Sequence, residues 1–106
     1  MVKIAPSLVS APLAHLAQAV EDLEKAGADI LHFDLEDGNF VPMMSLGVNV
    51  VKVLRPLTDL PIDVQRMSNT PAWIIPNLIQ IGVQMASAHF EACPYPRTTL
   101  GMFHQA

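Results

Sequence analysis

Hydrophobic and polar positions along this chain follow two alternating rhythms. Runs rich in aliphatic and β-branched residues, at Lys3 to Leu8, Asp29 to Leu35, Pro61 to Met67 and Gln84 to Phe90, read as strands. Longer amphipathic segments lie between them. Leu13, Leu16, Ala17, Val20 and Leu23 recur at helical spacing, with Glu21 and Lys25 paired on the solvent side. Ser10 is placed to cap that helix, Pro12 to sit in its first turn and Gly27 to end it. A second helix is predicted near Ser45 to Arg55, stopped by Pro56. A third is opened by Thr70-Pro71 and closed by Gly82, and Pro76 within it predicts a kink or an irregular first turn. Cys93-Pro94-Tyr95-Pro96 then leads into a short final helix that runs to the end of the chain.

Strands alternating with helices describe successive βα units and a parallel sheet, four units in a single domain spanning 1–106. An internal echo agrees with this division. Gly27 and Gly82 each close a helix, a strand follows, and Glu36 and Glu91 fall at matching strand ends, an offset of two βα units. Neither a Gly-x-Gly-x-x-Gly fingerprint nor a P-loop marks another kind of α/β layer.

Composition narrows the function classes. With 51% hydrophobic and 15% charged residues the chain has enough apolar surface for a substantial core. Its basic residues are scattered singly and the net charge is −4, which argues against nucleic acid as a partner. The most apolar stretch, Ala72 to Ala88, is broken by Pro76, Asn77, Gln80, Gly82 and Gln84, so no membrane span is expected. Cys93 is the only cysteine and the opening residues lack an apolar signal-peptide core, so a cytoplasmic location is the expectation.

Alternation along the second strand sends His32, Asp34 and Glu36 to one face and Leu31, Phe33 and Leu35 to the other. A buried parallel strand normally reads as a continuous apolar run, and imidazole and carboxylate groups on it cost free energy unless paired, hydrogen-bonded or metal-bound. His and Asp two apart on a strand can act as nitrogen and oxygen ligands of one divalent ion, and the carboxylate can serve as a base. The same spacing also suits a self-contained His–Asp hydrogen bond, and the residues alone leave both readings open. Ser7 is either a substrate contact or a turn and cap residue, and His89 either lines a pocket or is a satisfied structural histidine. His15 and His104 are expected at the surface and Trp73 in packing, and Cys93 shows no sign of an activated thiol.

Five segments carry a resemblance that covers essentially the whole chain: Ala5-Pro6-Ser7, Ala26-Gly27-Ala28-Asp29, His32-Phe33-Asp34-Leu35-Glu36-Asp37-Gly38-Asn39-Phe40-Val41-Pro42, Leu60-Pro61-Ile62-Asp63-Val64 and His89-Phe90-Glu91-Ala92. Together they resemble the ribulose-phosphate 3-epimerases, and the stretch from His32 to Pro42 is the most specific. The resemblance implies a TIM (β/α)8 barrel of which this chain covers about the first four βα units, the N-terminal half of a ribulose-phosphate-binding barrel. It implies a metal-dependent isomerase of the pentose phosphate pathway that inverts carbon 3 of a ketose phosphate, ribulose 5-phosphate or xylulose 5-phosphate, through an enediolate. The divalent ion would be zinc, iron(II) or manganese. Asp34 corresponds to one acid/base group and to a metal ligand, His32 to another metal ligand, and Ser7, His32, Gln65, Met67 and His89 to the substrate face. The opposing aspartate and the phosphate-binding glycine-rich region belong to the second half of the family's barrel. Four strands cannot close such a barrel, so either a continuation of the chain or a second copy, as a homo-oligomer, would complete it.

Three positions depart from the family pattern. Gln65 stands where the family carries a metal-binding histidine, and an amide oxygen is a weaker ligand for zinc or iron(II) than imidazole. Glu36 replaces a methionine that lines the substrate, whereas Met67 matches a second pocket methionine. Arg66 is expected to point into the helix layer, with only its length bringing the charge to water. Gln65 and the missing second half of the barrel motivate an alternative reading, a non-catalytic, truncated or decayed half-barrel that acts as an assembly or sugar-phosphate binding module.

Overall fold

The strand and helix rhythms become a parallel sheet with helices packed on one face. The computed structural model describes residues 1–69 and 71–104. Thr70, the expected opener of the third helix, and Gln105 and Ala106, at the end of the expected last helix, lie outside the described residues. Among the described residues three strands, β1 (Leu31–Glu36), β2 (Ile62–Met67) and β3 (Met85–Ala88), pair in parallel in the order β1-β2-β3. Helices α1 (Leu16–Lys25), α2 (Val48–Leu54) and α3 (Ile75–Ile81) connect or precede them, and α4 (Pro96–His104) follows β3.

The expected strand from Lys3 to Leu8 is reduced to a single parallel bridge between Ser7 and His32. The segment still runs beside β1: Ile4 O accepts from the N–H of Asp29 and Ile30, and Pro6 O accepts from His32 N–H at 3.0 Å. Pro6 has no N–H to return to a ladder, and the chain turns into a 3-10 segment at Leu8, so regular pairing stops there.

The first helix also begins later than its capping residues suggest. Two 3-10 turns, Leu8–Ser10 and Leu13–His15, precede α1. Ser7, not Ser10, caps the first of them, its Oγ accepting from Val9 N–H at 3.3 Å, and Pro12 precedes the second. Leu13 and Ala17 are consequently exposed, while Val20 is fully buried and Leu16 and Leu23 pack partly against the core. The Glu21–Lys25 ion pair forms on the solvent side at 2.6 Å.

Helix α2 begins after Ser45, whose hydroxyl is engaged by Glu36, and tightens into a 3-10 turn at Arg55–Leu57 rather than stopping before Pro56. The irregular start predicted from Pro76 is present: a 3-10 turn at Pro71–Ile74 leads into α3, with Pro76 in the first helical turn, where its missing N–H has no partner to lose. Gly82 closes α3 with φ of 92°, its N–H bonded to the carbonyls of Leu78 and Ile79. The echo between Glu36 and Glu91 does not persist in three dimensions. Glu36 ends β1, whereas Glu91 lies on a 3-10 turn at Phe90–Ala92 after the shorter β3.

Alternation separates the two sheet faces. Leu31, Phe33 and Leu35 of β1 and Ile62 and Val64 of β2 are buried against Val20, Val51, Leu54, Ile74 and Leu78 of the helix layer. Each fully buried aliphatic or aromatic side chain contributes roughly 1.5–3 kcal/mol relative to exposure. Arg66 continues this face, as expected, but its charge does not reach water. The residue is only 4% exposed, and among its guanidinium nitrogens one bonds Ser68 Oγ at 2.8 Å while Nε and Nη1 have no partner among the described residues. The cavity beside it is lined by Leu46, Trp73 and Ile74 as well as by Glu36, Asp37 and Ser68. Burial lowers the Arg66 guanidinium to about 10, against the opposing pull of Asp37. Trp73 itself is exposed and not in the core. No helix among the described residues is long and apolar enough to cross a membrane.

Candidate active site

The polar face of the sheet is assembled by register. In the parallel β1–β2 pair His32 lies opposite Asp63, Asp34 opposite Gln65 and Glu36 opposite Met67, and the bridge at Ser7 brings the N-terminal segment alongside His32. Because side chains alternate, all of these residues share the face that the helices leave uncovered.

Their side chains form a continuous line of contacts. Ser7 Oγ donates to Asp34 Oδ2. Asp34 Oδ1 lies 3.2 Å from His32 Nε2, and His32 Nδ1 lies 2.8 Å from Asp63 Oδ2. His32 therefore sits between two carboxylates, its side chain 19% exposed. Burial works against a charge on the ring, but the hydrogen bond to Asp63 and the charges of Asp34 and Asp63 outweigh it, so its pKa is raised above 6.5. Of the roles open to Ser7, the structure shows the cap: the same Oγ accepts from Val9 N–H and caps the 3-10 turn.

The other expected site residues are near this line but not joined to it. Gln65 Nε2 donates to His89 Nε2 at 3.2 Å, and the His89 ring meets Phe40 edge to face at 5.0 Å. Met67 borders Glu36 in the register, and Glu36 Oε2 accepts from Ser45 Oγ at 2.9 Å. The loop after β1 is organised by Asp37, whose carboxylate accepts from the N–H groups of Asn39, Phe40 and Asn69. Desolvation opposes that charge, yet these bonds hold the Asp37 carboxyl below the ordinary carboxylate range. Asn69 follows β2, so Asp37 ties together the loops at the C-terminal ends of β1 and β2. Such strand ends are where α/β proteins place their sites. Gly38 takes φ of 72° in this turn, and a Cβ there would come 3.2 Å from Met44 Cε. His15 and His104 are at the surface.

Asp63 is a site residue that no sequence motif marks as a candidate. Its one available signal was alternation, which puts it on the same face as Gln65. The contact with His32 depends on which residue of β1 stands opposite, and that is a property of register.

An imidazole and a carboxylate facing each other suit a zinc or iron(II) ion. The donor set is nevertheless incomplete: no group of three or more His, Cys, Asp or Glu side chains among the described residues is arranged to hold a metal ion. Gln65, the residue opposite Asp34, is occupied by His89. The described residues thus bring the imidazole of His32 and the carboxylate of Asp34 together but form no closed centre.

The ribulose-phosphate 3 epimerase family matches residues 3–106. The chain is 42% identical over 105 residues to a ribulose-phosphate 3-epimerase of Bacillus subtilis (strain 168), covering 99% of this chain and 48% of that protein. It is 43% identical over 88 residues to a chloroplastic ribulose-5-phosphate-3-epimerase of Arabidopsis thaliana, covering 83% and 31%. A ribulose-phosphate 3-epimerase of Methanocaldococcus jannaschii is 33% identical over 96 residues, covering 91% and 40%. The chain spans less than half the length of these relatives. Parallel sheet, polar strand face and sequence similarity converge on one assignment: the chain belongs to the ribulose-phosphate 3-epimerase family.

Proposed function

We propose that this chain is the N-terminal half of a (β/α)8 barrel and supplies one of the two acid/base groups of a ketose-phosphate 3-epimerase, interconverting ribulose 5-phosphate and xylulose 5-phosphate or a related pair. The observation that carries this reading is the line Ser7–Asp34–His32–Asp63 on the open sheet face, beside the β1 loop. Asp34 is the base for the carbon-3 proton. Ser7 fixes one of its oxygens and leaves the other towards His32, which keeps the carboxylate aimed without a further partner. Gln65, Met67 and His89 lie on the same side and line the sugar. His32 and Asp34 would hold a divalent ion, zinc, iron(II) or manganese, whose chemistry is Lewis-acid stabilisation of an enediolate. Inversion needs an acid on the opposite face of the carbon, supplied by a continuation of the chain or by a second copy. A cytoplasmic enzyme of the pentose phosphate pathway fits this chemistry.

The test is incubation of ribulose 5-phosphate in deuterium oxide with the metal-loaded protein. Deuterium is expected at carbon 3, and Asp34→Asn is expected to slow its entry by about 10²–10⁴-fold. A single base exchanges the proton with retention, so inversion to xylulose 5-phosphate accompanies exchange only where the opposing acid is supplied. Full retention of the carbon-3 proton overturns the proposal.

The engagement of Gln65 by His89 favours a second reading, a non-catalytic assembly or sugar-phosphate binding module. Gln65→His separates the two. A gain in zinc affinity supports a metal centre that lacks one ligand, and no gain supports the binding module.

A further inference from the structure

We propose that Asp63 is a positioning residue that holds His32 as its Nδ1–H tautomer and so turns the Nε2 lone pair towards Asp34. A neutral imidazole carries one proton, and the nitrogen that bears it is set by the bond the other nitrogen makes. Both neighbours of this ring are carboxylates, which when ionised only accept, so they compete for the proton. Three features decide for Asp63. Its Oδ2 is the closer acceptor, 2.8 Å from Nδ1 against 3.2 Å between Nε2 and Asp34 Oδ1. Asp63 makes no other side-chain hydrogen bond among the described residues, whereas Asp34 also receives the Ser7 hydroxyl. Finally, His32 and Asp63 are direct partners on adjacent parallel strands, so backbone pairing, not a loop, sets their approach.

The consequence is directional. With Nδ1–H given to Asp63, the free electron pair of His32 and the free oxygen of Asp34 face one another, and Ser7 and Asp63 brace the two from either end. A ligating histidine whose remote N–H is held by a carboxylate is both oriented and made more basic. This functional consequence rests on the reading of His32 and Asp34 as ligands, but the tautomer does not, so the two are tested separately.

Long-range proton–nitrogen correlation on the ¹⁵N-labelled chain, at a pH where His32 is neutral, should show Nδ1 protonated and Nε2 bare. In Asp63→Ala the ring should revert to the Nε2–H form that free histidine side chains favour. In Asp63→Asn, which is nearly isosteric, the amide N–H can donate to Nδ1 while Nε2–H goes to the Asp34 carboxylate, so the ring should again turn to the Nε2–H form. An Nε2–H ring in the unaltered chain, or the same tautomer with and without a carboxylate at position 63, overturns the proposal. Cobalt(II) titration followed by its visible absorption forms the second arm. Asp63→Ala should weaken cobalt binding by about 10–100-fold, with Asp63→Asn in between. Equal affinity in all three proteins overturns the positioning role. If the unaltered chain binds no cobalt, the metal reading of His32 and Asp34 fails, and the tautomer arm still decides the question for Asp63. Should Asp63→Ala fail to fold, the tautomer of the unaltered chain and the cobalt affinity of Asp63→Asn keep both arms decisive.

Discussion

The two faces of one sheet are made from the same strands and have opposite tasks. On the helix side Leu31, Phe33, Leu35, Ile62 and Val64 are buried. On the open side Ser7, His32, Asp34, Asp63 and Gln65 are partly exposed and bonded to one another or to His89. Burial of apolar area stabilises the first face, whereas the second is held in shape by hydrogen bonds whose net contribution is about 1 kcal/mol each. The difference teaches that side chains on the open face can vary at small cost to folding, because the core is complete without them. Arg66 is the exception, a charge on the apolar face with two guanidinium nitrogens unpartnered among the described residues.

The comparison predicts its largest asymmetry between adjacent residues. Phe33→Ala should destabilise the chain by about 3–5 kcal/mol. Asp34→Asn, one residue further along β1, should cost under about 1.5 kcal/mol. Urea unfolding of both variants measures the difference, and equal losses would break the division of labour between the faces.

Arg66→Met should do the reverse of an ordinary core substitution and raise stability by roughly 1–4 kcal/mol, because it removes a buried charge without opening a cavity. The same unfolding experiment reads it. A loss comparable to that of Phe33→Ala would mean that Arg66 has partners essential to the folded state.

Gly82→Ala calibrates both, since it touches neither face. A Cβ there meets only Arg55 Cδ, at 4.0 Å, so the expected cost is the left-handed backbone alone, about 1–2 kcal/mol. A thermal melt checks it.

The smallest expected effect is the pH dependence of the open face. The folded-state pKa of His32 is raised above 6.5, so protonation is favoured by folding. Its stabilisation is fully present below pH 6.5, where the ring is charged in both states, and is lost as pH rises through the folded value. The unfolding midpoint should therefore fall across that window in the unaltered chain and not in His32→Gln. An identical pH profile in both would remove the two carboxylates as the cause.

How much of this was legible in the sequence depended on how local each feature is. The faces of β1 and β2 could be read from alternation, and the helix ends at Gly27 and Gly82, both at positive φ, from residue type. The irregular entry to α3 followed from Pro76. Features that required a distant partner were read less well. The segment from Lys3 to Leu8 looked like a strand, but pairing depended on Pro6 having an N–H to give. Alternation turns Arg66 into the helix layer, yet its burial to 4% exposure depends on the packing of other elements around it.

The sequence by itself determined that strands alternate with helices, that β1 has one apolar and one polar side, and that His32 and Asp34 belong to the polar one. These are consequences of backbone geometry acting within a few residues. Only the tertiary structure decided which groups those two residues meet. Ser7 reaches Asp34 from the N-terminal segment and Asp63 reaches His32 from β2, sequence separations of 27 and 31 residues. Parallel strands must be joined by a crossover, so their register is set by how the intervening helix packs, and no pattern within either strand contains that information.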